Sequence, residues 1–349
     1  MAGVADPSPR IIFGGPDLAP RLLRDELQAR VEAVPKGGKI AWSTYYFRDR
    51  ALAQALIDAS DRGVEVLLRI EGIPRFPEVN EPVIALLEND GLEGGLKVHR
   101  PPKRLFEKRY PYWHSKIYCF SHPTPSALIG SFNPSGNDPE DARIIADIGD
   151  QDRGHNLLVE FGGAKAFRAL RWRVRRMGGW CARLDPLQNL PLRIGASTVW
   201  SYPRASAGII DRQLRLLGAG DSIRGAVSHL KRGPLADALV GAAQRGAAIS
   251  LLLHDTERRV REEVLAELVD AGISAERYVH PAELPLHLKF LIAESGGKRR
   301  AWFGSFNFNQ RSYRHNYEIL VGTEDAAVID ALDQRLAEVA AEIARQRAS

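Results

Sequence analysis

HLKFLIAESGGKRRAWFGSFN, residues 287–307, decides the fold because its two ends occur a second time in the chain. His-x-Lys and Gly-Ser-Phe-Asn return as HSKIYCF from His114 and GSFN at residues 130–133. The neighbouring runs KIYCF, SALIG, KFLIA and AWFGS are short and apolar, as buried strands are. Along a strand, residues two apart share a face. His114 therefore projects with Lys116, and His287 with Lys289; Ser131 goes with Asn133, and Ser305 with Asn307. The glycine before each serine permits close backbone approach.

The duplication continues upstream. KIAWSTYYFRDRALAQALIDASDRGVEVLLRIEG from Lys39 aligns without a gap on SIRGAVSHLKRGPLADALVGAAQRGAAISLLLHD from Ser222. In that register Ile40 meets Ile223, Leu52 meets Leu235 and Leu56 meets Leu239. Each half reads as helix, strand, helix, strand, helix, then strands bearing the two motifs, a further strand and a closing helix. Alternation of this kind predicts an α/β sandwich in each half. The boundaries are residues 10–184 and 198–345, with the Pro-containing stretch 185–197 as linker.

The 349 residues, 44% hydrophobic and 26% charged, suit a globular protein with a substantial core. Net charge is +5, which mildly favours an anionic partner. Cys119 and Cys181 form neither a disulfide framework nor a zinc spacing. Cys119 sits in an apolar run and reads as a small buried side chain. The N-terminus has no signal-peptide pattern, and no run is long enough for a transmembrane helix. The expectation is a cytoplasmic protein, peripheral at the membrane if its substrate is a lipid.

Two strand edges, each with an imidazole, an ammonium, a hydroxyl and a carboxamide, would meet face to face if a pseudo-two-fold relates the halves. That set suits phosphodiester chemistry. Lysines and amides can hold the equatorial oxygens as charge develops on them. A neutral histidine can attack phosphorus, and a protonated one can donate to the leaving oxygen. No metal or cofactor is required in this reading, and one chain suffices for one site.

His-x-Lys followed by Gly-Ser-x-Asn, twice in one chain, resembles the phospholipase D superfamily. The second copy, HLKFLIAESGGKRRAWFGSFNFNQRSYRHNYEILV, is similar to bacterial phospholipases D and cardiolipin synthases. The resemblance implies two pseudo-symmetric α/β halves, each a mixed sheet flanked by helices, with one active site at their interface. It implies a phosphodiesterase or phosphatidyltransferase working through a covalent phosphohistidine. In the usual family order His114 is the nucleophile and His287 the general acid/base; the fuller second motif leaves the reverse order open. Lys116, Lys289, Asn133 and Asn307 would hold the phosphate. Ser131 and Ser305 either join them or satisfy local backbone groups. The family's Asp five residues after the lysine is Ser121 in one half and Glu294 in the other. Its later acid, which orients a histidine, corresponds to Glu318 in HNYE. At the place matched in HNLLVE stands Leu158, with Glu160 two residues on along the same strand face.

Tyr46 and His229 align at strand ends and are candidate cleft residues. Trp113 is a third, in a basic and aromatic lip, RLFEKRYPYWH. Asn156 and Asn316, in the matching HN pairs, could pin strand ends. The long acidic insertion PSGNDPEDARIIADIGDQDRG (134–154) would shape the entrance. The basic amphipathic helix in AFRALRWRVRRMGGW either closes its half or lies on an anionic surface. The substrate is expected to be a phospholipid diester, with two alternatives: a nuclease acting on DNA or RNA, or a non-catalytic phosphate-binding protein. Ser121 and Leu158 motivate the last.

Overall fold

The computed structural model describes residues 8–89, 91–92, 94–100, 111–135, 143, 152–178 and 182–348. Within them the apolar runs become two mixed sheets. The first contains β1 (Arg10–Gly14), β2 (Lys39–Thr44), β3 (Glu65–Glu71), β4 (Leu96–His99), β5 (Ile117–Phe120), β6 (Ser126–Gly130) and β7 (Asn156–Gly162). Its order is β1-β7-β6-β5-β2-β3-β4. The second contains β8 (Leu192–Ile194), β9 (Ser197–Ser201), β10 (Ser222–Val227), β11 (Ala248–His254), β12 (Ser274–Tyr278), β13 (Lys289–Ser295), β14 (Lys298–Gly304) and β15 (Ile319–Thr323). Its order, β12-β11-β10-β13-β14-β15-β9-β8, repeats the first in reverse and adds β8 at the edge. The upstream alignment is confirmed pair by pair: Lys39 faces Glu65 in β2–β3, and Ser222 faces Ala248 in β10–β11. Within the stretch expected as linker, Leu192–Ile194 forms β8.

Alternation along each strand sends one set of side chains inward and the other outward. Ile117, Ile129 and Val159 of the first sheet share a core with Phe290, Phe303 and Val321 of the second. Helices Ala164–Arg176 and Ala326–Ala348 contribute to that core. The outer faces carry the other helices. Asp49 caps one of them, Arg50–Asp61, by accepting the Leu52 N–H, and also pairs with buried Arg24 at 2.7 Å.

The basic helix Ala164–Arg176 buries Phe167, Leu170 and Val174 in the central core, so its apolar stripe closes its half. Cys119 is free and fully buried. Residues 104–110 of the lip, most of the 134–154 insertion, and Cys181 lie outside the described residues. No described helix is long and apolar enough to cross a membrane.

Candidate active site

Each GSFN ends a motif strand where it meets β7 or β15. A Cβ on Gly130 would lie 2.0 Å from the Leu157 carbonyl oxygen, so only glycine fits there. Gly304 has φ +145° and the same close approach, to Ile319. The next residue pairs equivalently in both halves: Ser131 N–H donates to Leu157 O, and Ser305 N–H to Ile319 O.

That register identifies true counterparts. Gly130 faces Leu158 and Gly304 faces Leu320. Counting back two residues, Glu318 corresponds to Asn156. The assignment of Leu158 to the acid's place is therefore corrected, and Asn156 is the residue that sequence reasoning undervalued.

The two halves are stitched by matching bridges. His114 N–H donates to Tyr317 O, and Tyr317 N–H to Tyr112 O. In the other copy His287 N–H donates to His155 O, and His155 N–H to Pro285 O. Each bridge sets the orienting residue of one half beside the imidazole of the other. Glu318 Oε2 lies 2.9 Å from His114 Nδ1, and Asn156 Oδ1 lies 2.9 Å from His287 Nδ1. Both acceptors favour a proton on Nδ1, which leaves Nε2 as the ring nitrogen without one in the neutral form. Each lysine bends back beneath its histidine, with Lys116 Nζ 2.6 Å from His114 O and Lys289 Nζ 2.9 Å from His287 O.

The serines do not face the cleft, and their expected phosphate contact is corrected. Ser305 Oγ donates to Glu318 Oε2 at 2.6 Å and accepts the Ile319 N–H. Ser131 Oγ donates to Asn156 Oδ1 at 3.0 Å and accepts the Leu157 N–H. Both are fully buried, and each steadies the group that orients a histidine. Glu318 also accepts from Ser312 Oγ.

Three further candidates move away from the site. Glu160 binds Arg30 and Arg10 at the far end of β7. Glu294 faces Arg224 at 3.8 Å and is 44% exposed. Trp113 is wholly buried beneath the site, its ring stacked on His99 at 4.4 Å and its backbone N–H donating to Glu71 Oε2. Neighbours along an extended chain point to opposite faces, so Trp113 turns away where His114 turns in. Ser121 accepts the Lys39 N–H at the start of β2, a structural contact.

The open side of the pair is a cleft of about 400 Å³. His114, His287, Asn133, Asn307, Tyr46 and His229 all line it. Asn133 Oδ1 accepts the Tyr46 N–H at 3.3 Å, while Asn307 Oδ1 is buried without a hydrogen-bond partner among the described residues. Tyr45 and Tyr112, not anticipated, complete an aromatic wall: Tyr45 lies 4.8 Å from the His114 ring and 5.4 Å from Tyr112. The repeat register sets Tyr45 against Ser228, so only Tyr46, set against His229, drew notice.

Burial holds His114 down at about 4; Glu318 opposes this, and Lys116 and Lys289 reinforce it. Burial, then Lys289, Arg259 and Lys116, keep His287 well below the usual histidine range. Burial also lowers Lys116 to about 7, with Glu318 opposing. For Glu318 burial acts upward, but His114 and Lys116 hold its carboxyl below the usual range. Burial and mutual repulsion thus favour the neutral forms of these nitrogens, and a bound anion would offset both effects.

The comparisons agree with this geometry. Residues 37–138 and 214–340, well over half the chain, match the family model described as cardiolipin synthase, PLD-like domain. No curated protein is similar enough to count as a match. Among solved structures, phosphatidylserine synthase of Haemophilus influenzae Rd KW20 superposes with TM-score 0.63 at 11% identity, covering 94% of this chain and 85% of that one. Polyphosphate kinase from Porphyromonas gingivalis gives TM-score 0.60 at 14% identity, over 93% of this chain. The present chain spans only 50% of that kinase. At such identities the likeness concerns the fold, and both folds support the two-half architecture. The chain belongs to the phospholipase D superfamily, in the family of cardiolipin synthase, PLD-like domains.

Proposed function

We propose that the chain is a phosphodiesterase or phosphatidyltransferase that works through a phosphohistidine on His114, with a phospholipid diester as substrate. The observation that carries this reading is the shared cleft: His114 and His287, one from each half, line it together, each with Nδ1 held by the opposite half.

The two partners differ in charge, and that difference assigns the roles. Glu318 is an anion. It stabilises positive charge on His114 as Nε2 bonds to phosphorus. Asn156 orients His287 but supplies no charge, so a proton on His287 is held weakly and given up readily. In the first step the His114 Nε2–P bond forms and the P–O bond to the leaving group breaks. The leaving oxygen takes the proton of His287 Nε2. In the second step His287 removes a proton from water or an alcohol, whose oxygen bonds to phosphorus as the N–P bond breaks. Lys116, Lys289, Asn133 and Asn307 hold the non-bridging oxygens throughout.

The test is a panel of phospholipid, nucleotide and nucleic-acid diesters assayed with and without EDTA. Two ammonium groups and two carboxamides supply the electrophilic stabilisation in this mechanism, so lipid-diester turnover is expected to survive EDTA. Cleavage of DNA or RNA with no action on lipid would transfer the reading to a nuclease. A non-catalytic phosphate-binding protein would bind tungstate and turn over none of these diesters; against that reading, Ser121 makes a structural contact and Asn156 at the acid's place still orients His287.

The proton on His287 has to arrive with the substrate. A bound anion raises the affinity of His287 and Lys116 for protons, so binding takes up protons in the interval between free and bound pKa values. Binding must then weaken as pH rises through that interval. Titration with tungstate near pH 7, in buffers of different ionisation enthalpy, should report uptake of about one proton per site. His287→Asn should reduce it. Heats independent of buffer would contradict this protonation scheme.

A further inference from the structure

Glu318 and Asn156 are counterparts, so the residues before them, Tyr317 and His155, are counterparts too. Each leaves its own half and packs on the helix that closes the other. Tyr317 clusters with Trp113 and with Met177, just past helix Ala164–Arg176. His155 meets helix Ala326–Ala348 through Arg335 and Glu342. The first contact is aromatic, and the second is built from hydrogen-bonded and charged groups.

His155 is fully buried. Its Nδ1 lies 2.9 Å from Arg335 Nη2, and a guanidinium can only donate, so Nδ1 accepts. The ring proton therefore sits on Nε2, which donates to Glu342 Oε2 at 3.1 Å. Burial lowers the proton affinity of the ring; Glu342 opposes this and Arg335 reinforces it. The surroundings are themselves held. Arg335, 1% exposed, donates to both Asp17 carboxylate oxygens at 2.6 and 2.7 Å. Tyr278 Oη donates to Glu342 Oε1 at 2.7 Å. A matched polar network of this kind fixes one geometry rather than several.

That geometry is set one residue from Asn156. The His155 backbone carries the bridge to Pro285 and His287, and Asn156 is the first residue of β7. Glu318 is steadied at close range by Ser312, in the short helix Gln310–Arg314. In the first half the long insertion 134–154 leads into His155 instead. We propose that His155 is a positioning residue for His287: held by Arg335 and Glu342 of the second half, it fixes the backbone that presents Asn156 Oδ1 to the His287 ring. The proposal rests on the histidine pair being the reacting centre. The closing helix of the second half then governs the acid/base histidine and leaves the nucleophile, which Glu318 serves, untouched.

Bis(p-nitrophenyl) phosphate separates the two steps, because its leaving group departs without the proton of His287. His155→Phe keeps a ring but makes neither hydrogen bond. Its burst of nitrophenol should keep a rate within about 3-fold of the unsubstituted chain, while the steady-state rate falls roughly 10- to 100-fold. Glu342→Leu removes the acceptor without touching the strand and should show the same split. Glu342→Gln keeps an oxygen there and should restore most of the steady-state rate. A merely structural role would lower burst amplitude and steady-state rate together, through the folded fraction. That outcome overturns the inference, as does a steady-state rate unchanged in both His155→Phe and Glu342→Leu.

Long-range ¹H–¹⁵N spectra of the histidine-labelled whole chain give a readout that needs no turnover. His155, assigned by its shift in Glu342→Gln, is expected to be neutral near pH 7 with its proton on Nε2. A proton on Nδ1 overturns the inference, whether or not the other variants fold. The Nδ1–H signal of His287, assigned by its loss in His287→Asn, should move in His155→Phe and in Glu342→Leu; an unmoved signal in both overturns the positioning role. If the unsubstituted chain cleaves no diester, the reading of the histidine pair falls, and the two ring signals decide the role of His155 by themselves.

Discussion

Replacing His114 with Asn is expected to lower kcat on any diester by roughly 10⁴-fold or more, because the nitrogen proposed to bond phosphorus is gone. His287→Asn should behave differently with leaving group. An alkoxide cannot depart without a proton, so lipid diesters should lose roughly 10²- to 10⁴-fold. A nitrophenolate needs no such help, so the first step should proceed and the second, which needs His287 as base, should stall. With bis(p-nitrophenyl) phosphate this variant should release a burst of nitrophenol and accumulate a phosphoryl adduct. Mass spectrometry should find it on His114. An adduct on His287 in the His114→Asn chain, with none on His114 in the reciprocal variant, would reverse the two roles. No adduct in either, with turnover retained, would remove the covalent mechanism. Both side chains line the cleft, and loss of fold is monitored by the unfolding transition of each variant.

The second large effect concerns the partners. Glu318→Gln keeps an oxygen near His114 Nδ1 but removes the charge that stabilises the cationic imidazole. A fall of roughly 10²- to 10⁴-fold in kcat is expected, with little change in KM, since the loss is confined to charge that develops during reaction. Asn156→Asp is the converse. A carboxylate 2.9 Å from His287 Nδ1 favours the protonated ring and raises its pKa by about 1 to 3 units. The alkaline limb of kcat, where the general acid loses its proton, should move upward by a similar amount. The pH–rate profiles of the three proteins check both statements. An unmoved limb in Asn156→Asp would show that His287 is not the acid, and full activity in Glu318→Gln would leave the carboxylate without a catalytic role.

Much of this was legible from the residues. The strand faces of His-x-Lys and Gly-Ser-x-Asn follow from the period of two, and the gapless repeat from Lys39 and Ser222 is matched by the equivalent strand order of the two sheets. Asn156 escaped because 22 residues separate it from Asn133, against 10 between Asn307 and Glu318. Aligning the HN pairs across that insertion slipped the register by two, a shift that preserves the strand face and so raised no conflict. Glu160 shared the correct face but lies four residues from Asn156, about 13 Å along the strand. Glu294 is an odd number of residues from Lys289 and so faces the other way. The serines were ambiguous from sequence, since a hydroxyl beside a strand end serves backbone and ligand equally well. Arg258 and Arg259 reach the cleft only through the fold, because in sequence they are two more arginines in a charged segment.

The exchange of partners across the pseudo-two-fold carries a last implication. Because Glu318 serves the first histidine and Asn156 the second, neither fragment of a divided chain would contain a finished catalytic dyad. In the proposed mechanism the join between the fragments is part of the catalytic apparatus, so a lesion at the seam is expected to silence both imidazoles at once.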